Sequence, residues 1–112
     1  MVTDLYELGE ELLAEASGAT NGVASRAVVH GDRQRAVLIA IRAGHGLGEH
    51  NAPPAATLQL LKGAATLRAG DAEIELSAGR LTEIPQQRHD LTAAEDTVAL
   101  LTVAISPPEA RG

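Results

Sequence analysis

Histidine is the side chain in this sequence that can both transfer protons near neutral pH and bind a transition metal. The chain has no cysteine and four histidines, which are His30, His45, His50 and His89. The first ends a predicted strand beside a Gly-Asp turn, where a polar turn residue is the ordinary explanation. The second lies between two glycines and is most simply a loop side chain that can reach a nearby site. The surroundings of the other two predict a shared site.

Other kinds of chemistry have little support in the sequence. No nucleophile–base pair or carboxylate dyad stands out. The segment 44–48, Gly-His-Gly-Leu-Gly, is rich in glycine, but no helix is predicted after it that would hold a phosphate at its N-terminus. We therefore predict a mobile loop there.

Composition and charge exclude several partners. The net charge is -6 and the sequence has no Lys/Arg cluster, which argues against binding of nucleic acid. No apolar run approaches the roughly 18 residues that a membrane span needs, and the N-terminus is acidic where a secretory signal would be basic. The expectation is a soluble, cytoplasmic protein of one domain, without a membrane partner.

The first predicted element is a helix within residues 1–18. Thr3 and Asp4 can cap its N-terminus, leucines recur on one face, and Gly18 supplies a stop. Four glutamates on the other face are most simply a solvated surface, so we assign them no chemistry.

The remainder, 24–106, has the short, β-branched segments of strands, and 107–112 is predicted to be a loose tail. Gly, Asp, Asn or Pro separate the segments. Eight closely spaced strands after one helix predict an all-β, antiparallel barrel or sandwich. The predicted strands are 24–30, 35–42, 57–62, 64–68, 72–76, 80–84, 90–93 and 97–105.

One glycine-anchored segment resembles the first sequence motif of the cupin superfamily. Gly44 is followed by five residues and then His50, with a glycine closing the next predicted strand. The motif continues with a second His and a Glu, and both ligands are missing here. Their positions hold Ala52 and either Ala56 or, with the longer spacing, Thr57.

A second segment resembles the second cupin motif. Gly79 is followed by five residues and Pro85, with His89 shortly after, although Gln87 replaces a glycine and the His comes one residue early. Residues 64–78 match the short spacer of small cupins, and the resemblance covers about 35–105. It implies a double-stranded β-barrel of the jelly-roll type.

Side chains of a barrel strand alternate between lumen and solvent, so His50 and His89 are expected to meet inside. Three functions stay open. The first is a metal-free lumen that binds a small organic molecule, with His50, His89, Gln59 and Arg42 as polar groups. The second, implied by the resemblance, is a metal-dependent dioxygenase or isomerase in which Glu49 or His45 completes a site for a divalent transition metal. The third is a packed structural barrel. We also expect a homodimer, through addition of strands at a sheet edge.

Overall fold

The computed structural model describes residues 2–50 and 55–105, with only the backbone of His50. It contains one helix and nine strands in this part of the chain. They are α1 (Leu5–Ser17), β1 (Val23–His30), β2 (Gln34–Ile41), β3 (Gly46–His50), β4 (Ala55–Lys62), β5 (Ala64–Ala69), β6 (Ala72–Ser77), β7 (Leu81–Glu83), β8 (His89–Ala93) and β9 (Thr97–Ala104).

The helix α1 forms as its sequence predicts and packs on the outside of the strands. The Asp4 side chain accepts hydrogen bonds from the backbone N–H groups of Tyr6 and Glu7, which caps the first turn. Its leucines form a small core against the outer face of β2 and β9. A Cβ on Gly9 would lie 2.9 Å from Val98, so this glycine allows the helix to approach β9 closely.

The strands form two antiparallel sheets. A five-stranded sheet has the order β1-β2-β9-β4-β7, and a four-stranded sheet has the order β3-β8-β5-β6. Apolar side chains from both sheets meet in one core, so the sheets pack face to face. This confirms the predicted antiparallel double-stranded barrel with one N-terminal helix.

The centre of the five-stranded sheet is buried on both faces. In β2, Ile39 and Ile41 face the core between the sheets, whereas Leu38 and Ala40 face α1. A strand covered on both sides reads as a continuous apolar run, because neither face needs polar residues.

The structure corrects the prediction at the glycine-rich segment. Only Ala43 and Gly44 lie in the turn that leaves β2, and Gly46–His50 form strand β3 at the edge of the four-stranded sheet. A Cβ on Gly46 would lie 2.2 Å from the carbonyl oxygen of Leu91, so glycine is needed where β3 runs close to β8. Among the described residues, no helix is long and apolar enough to cross a membrane.

Candidate binding site

The inner face of the five-stranded sheet is less tightly covered at one end than at the other. Along β2, exposure rises from Ile41 at 0% through the partly buried Val37 to the exposed Arg35. Along β4 it rises from Leu60 at 0% to the partly buried Ala56. In β9 the same trend runs from the buried residue 99 to the partly buried residues 101 and 103. We call the end near Arg35 and Ala56 the open end.

His89 lies at this open end and faces inward. Its side chain is 5% exposed. It shares a face of β8 with Leu91 and Ala93, which belong to the core between the sheets. The segment 84–88 links β7 to β8 at this end, and the N–H of Ile84 donates to the carbonyl oxygen of Ala56 at 2.9 Å. His89 is thus a buried polar side chain beside aliphatic residues of the core.

The hydrogen bond at His89 fixes which ring nitrogen carries the proton. Nδ1 lies 3.0 Å from the carbonyl oxygen of Gln87. A carbonyl oxygen only accepts, so Nδ1 must be the donor. In the neutral imidazole, Nε2 then keeps its lone pair and can accept a hydrogen bond or bind a metal.

His50 is the predicted partner of His89. The backbones of His50 and His89 are paired across β3 and β8, which places the two residues side by side at the sheet's open end. The side chain of His50 and the whole of Ala52 lie outside the described residues. The predicted meeting of the two imidazoles therefore stays a prediction.

Glu49, a suggested metal ligand, points away from the core. The register between β3 and β8 shifts after Leu47, so Gly48 and Glu49 together oppose the single residue Asp90. Oε1 of Glu49 accepts a hydrogen bond from Nε of Arg88 at 2.8 Å, and both side chains are 58% exposed.

His45 and Arg42 lie at the opposite end of the barrel from His89. The carbonyl oxygen of His45 accepts from the N–H of Ala93, which is four strand residues, or about 13 Å, from His89. Both predicted site residues line a separate cavity of about 240 Å³ beside the C-terminus of α1. The structure therefore places neither residue beside His89.

This second cavity is organised by a cluster of hydrogen bonds. Nε of Arg42 donates to Oδ1 of Asp96 at 3.1 Å, and its NH1 group donates to the hydroxyl of Ser17. The N–H of Ala43 donates to the same carboxylate at 2.9 Å. That backbone hydrogen bond lowers the pKa of Asp96 most, and Arg42 lowers it further, against the opposing effect of desolvation. Arg42 thus joins the helix to the β8–β9 turn.

Gln59 also lies away from the lumen. It stands between Leu58 and Leu60, both of which belong to the core between the sheets. Alternation places its side chain on the outer face of β4, opposite Leu100, which packs toward α1. The side chains of three of the four predicted pocket residues are described, and of these only His89 lies on the inner face at the open end.

The described side chains at the open end offer few donors to a transition metal. Ala56 faces inward where the resemblance would place a carboxylate, and it carries no donor. Within residues 2–50 and 55–105, no group of three or more His, Asp or Glu side chains could hold an ion. A protein-bound transition metal usually has three or more side-chain ligands.

Sequence reasoning missed Arg35. It has the same strand parity as Val37 and Ile39, so its side chain lies on the inner face of the five-stranded sheet at the open end. In register, His30 lies directly opposite it on β1 and Val103 on β9. The spacing of two residues from Val37 and Ile39 indicates this orientation only once those residues are known to face the core between the sheets.

No protein-family model and no curated protein matches this sequence. Solved structures do match it. A conserved protein of unknown function from Streptococcus pyogenes has 20% sequence identity and a TM-score of 0.72, covering 97% of this chain and 90% of its own. A cupin superfamily protein from Desulfitobacterium hafniense has 22% identity and a TM-score of 0.72, covering 81% and 87%.

A salicylate 1,2-dioxygenase from Pseudaminobacter salicylatoxidans matches over only 33% of its own length, which is 87% of this chain, with 17% identity and a TM-score of 0.74. At these identities the similarity establishes the fold. The two face-to-face sheets and these neighbours agree with the sequence motifs, and the chain therefore has the fold of a cupin domain.

Proposed function

We propose that the barrel binds a small organic molecule through its open end, with His89 as a polar anchor among aliphatic side chains. The observation that carries this proposal is the decrease in burial along β2, β4 and β9 toward the end where His89 faces inward. A barrel that served only as a packed scaffold would gain stability by filling this end with large aliphatic residues. Here the inner face of the five-stranded sheet carries the partly buried Ala56 instead.

The chemistry of the inner face suits binding. Partly buried apolar side chains, including Leu47 and Leu101, provide surface that a ligand would remove from water, at about 25 cal/mol per Å². His89 is a buried polar side chain on this face, so it would favour a ligand that carries a polar group on that side. An apolar pocket with a few fixed polar groups is the usual form of a small-molecule site.

An NMR titration with neutral aromatic amides, from benzamide to 2-naphthamide, tests the proposal. We expect amide shifts in β8 and at the start of β4, and none in α1. Ala56→Phe should abolish the shifts because it fills the open end. Ala55→Phe is the matched control, since the exposed Ala55 lies on the other face of the same strand.

Two results would overturn the proposal. One is that no amide of the series shifts the inner-face signals. The other is that Ala55→Phe weakens binding as much as Ala56→Phe does, because binding would then occur on the outer face. Circular dichroism of both variants establishes that each is folded.

A further inference from the structure

We infer that the ligand of the open end is a small organic carboxylate, and that Arg35 binds its carboxylate group. This inference rests on the proposed function and names the class of ligand. It starts from one row of residues across the five-stranded sheet. His30 pairs with Arg35, Arg35 with Val103, and Val103 with Ala56. Residues directly opposite each other in antiparallel strands share a face, so this row borders the open end from the inside.

Arg35 is unusual among the cations of this chain. Five of the described cationic side chains form ion pairs with carboxylates at 2.8–3.1 Å, namely Arg26, Arg42, Arg68, Arg88 and Lys62. In the described part of the chain, Arg33, Arg35 and Arg80 form none. Arg33 lies in the β1–β2 turn, and Arg80 precedes β7 beside a cavity lined by β5 and β6. Only Arg35 belongs to the inner face.

An exposed arginine without a carboxylate partner is common on protein surfaces. The inference therefore rests on the position of Arg35. The chain has 15 acidic residues against nine Lys and Arg, so an unpaired cation at the open end stands out from an acidic background. Apolar walls of low dielectric strengthen the field of a charge beside them. The rim of the barrel would therefore attract an anion.

The geometry favours a carboxylate over a phosphate. A single guanidinium binds a carboxylate through two parallel hydrogen bonds, and their charges then balance. His30, directly opposite Arg35, supplies a second polar group that can donate to the same oxygen atoms. This row of four residues has no second arginine, so the charge of a phosphate dianion would be only partly balanced.

Calorimetric titration with benzoate and benzamide tests the inference, because the two probes share a ring and differ in charge. We expect benzoate to bind the parent at least about tenfold more tightly than benzamide, the value of one charge-assisted hydrogen bond. Arg35→Gln should remove this preference by lowering the affinity for benzoate at least about tenfold. Arg33→Gln is the matched control, since it removes the same charge from the adjacent turn and should keep the preference.

The possible failures are distinct. If benzamide binds but benzoate binds no more tightly, or if Arg33→Gln and Arg35→Gln have equal effects, the inference is wrong and the proposed function stands. If inorganic phosphate displaces benzoate more effectively than acetate does, the site selects phosphate and the carboxylate class is wrong. If neither aromatic probe binds, the proposed function fails as well.

Discussion

Leucine-to-alanine substitutions at three depths of the barrel test the idea that one end is open. Leu60 is 0% exposed in the core, so Leu60→Ala should cost about 3–5 kcal/mol through lost burial and a remaining cavity. Leu101 is only partly buried, and water at the open end can fill the space that its side chain leaves. Leu101→Ala should therefore cost about 1–2 kcal/mol. Leu81 is 61% exposed, and Leu81→Ala should stay within about 0.5 kcal/mol.

Urea unfolding followed by circular dichroism measures these differences. The free energy of unfolding should fall with urea concentration at the same slope in all variants, and only the midpoints should differ. This is expected when only the native state changes. Thermal midpoints should fall by roughly 4 °C per kcal/mol for a domain of this size. Equal losses in Leu60→Ala and Leu101→Ala would mean that the end near Leu101 is closed and filled, and the binding proposal would lose its main support.

Other perturbations follow from particular contacts. The lowered pKa of Asp96 means that its contribution to stability is complete above the pKa of the unfolded chain and is lost as pH falls through the lower folded value. Asp96→Asn should therefore flatten the acid side of the stability curve measured by urea unfolding between pH 7 and pH 2. Gly63 and Gly79 have φ of 90° and 89°, but a Cβ would lie 2.4 Å from the carbonyl oxygen of Asp96 at Gly63 and meet nothing within 4 Å at Gly79. Gly79→Ala should cost about 1–2 kcal/mol for backbone strain alone. Gly63→Ala should cost measurably more, because its Cβ would also collide with the carbonyl oxygen of Asp96. Equal decreases in thermal midpoint would show that this collision does not occur. The variant Ala52→His, Ala56→Glu should bind Ni²⁺ more tightly in calorimetry than Ala52→His, Ala55→Glu, because only position 56 has a described inward orientation.

The fold could be predicted because its signals are local. Asp4 and Gly18 bound the helix within a residue of its observed ends, and the predicted strands differ from the observed ones by one to two residues at most ends. Strand β3 was missed because three glycines in Gly44–Gly48 favour a loop in any local pattern. Its pairing with β8 depends on residues 39 to 46 positions away, which no local pattern reports.

The site was harder to predict because orientation depends on tertiary cover. Gln59 lies between two core leucines, so strict alternation already placed it outside the lumen. In β2 the alternation rule is ambiguous from sequence alone. The helix α1 covers the outer face, so both faces are apolar at every position from Ala36 to Ile41. The sequence therefore does not distinguish the inward parity of Arg35 from the outward parity of Arg42.

The position of β9 in its sheet has a consequence for synthesis of the chain. This strand pairs with β2 on one side and with β4 on the other, although it follows both in sequence. Until β9 leaves the ribosome, the five-stranded sheet lacks its middle strand. At about 5–20 residues per second, the 70 positions between Gln34 and its partner Ala104 represent roughly 4–14 s of translation. During that time β2 and β4 each have an unpaired edge that β9 later covers.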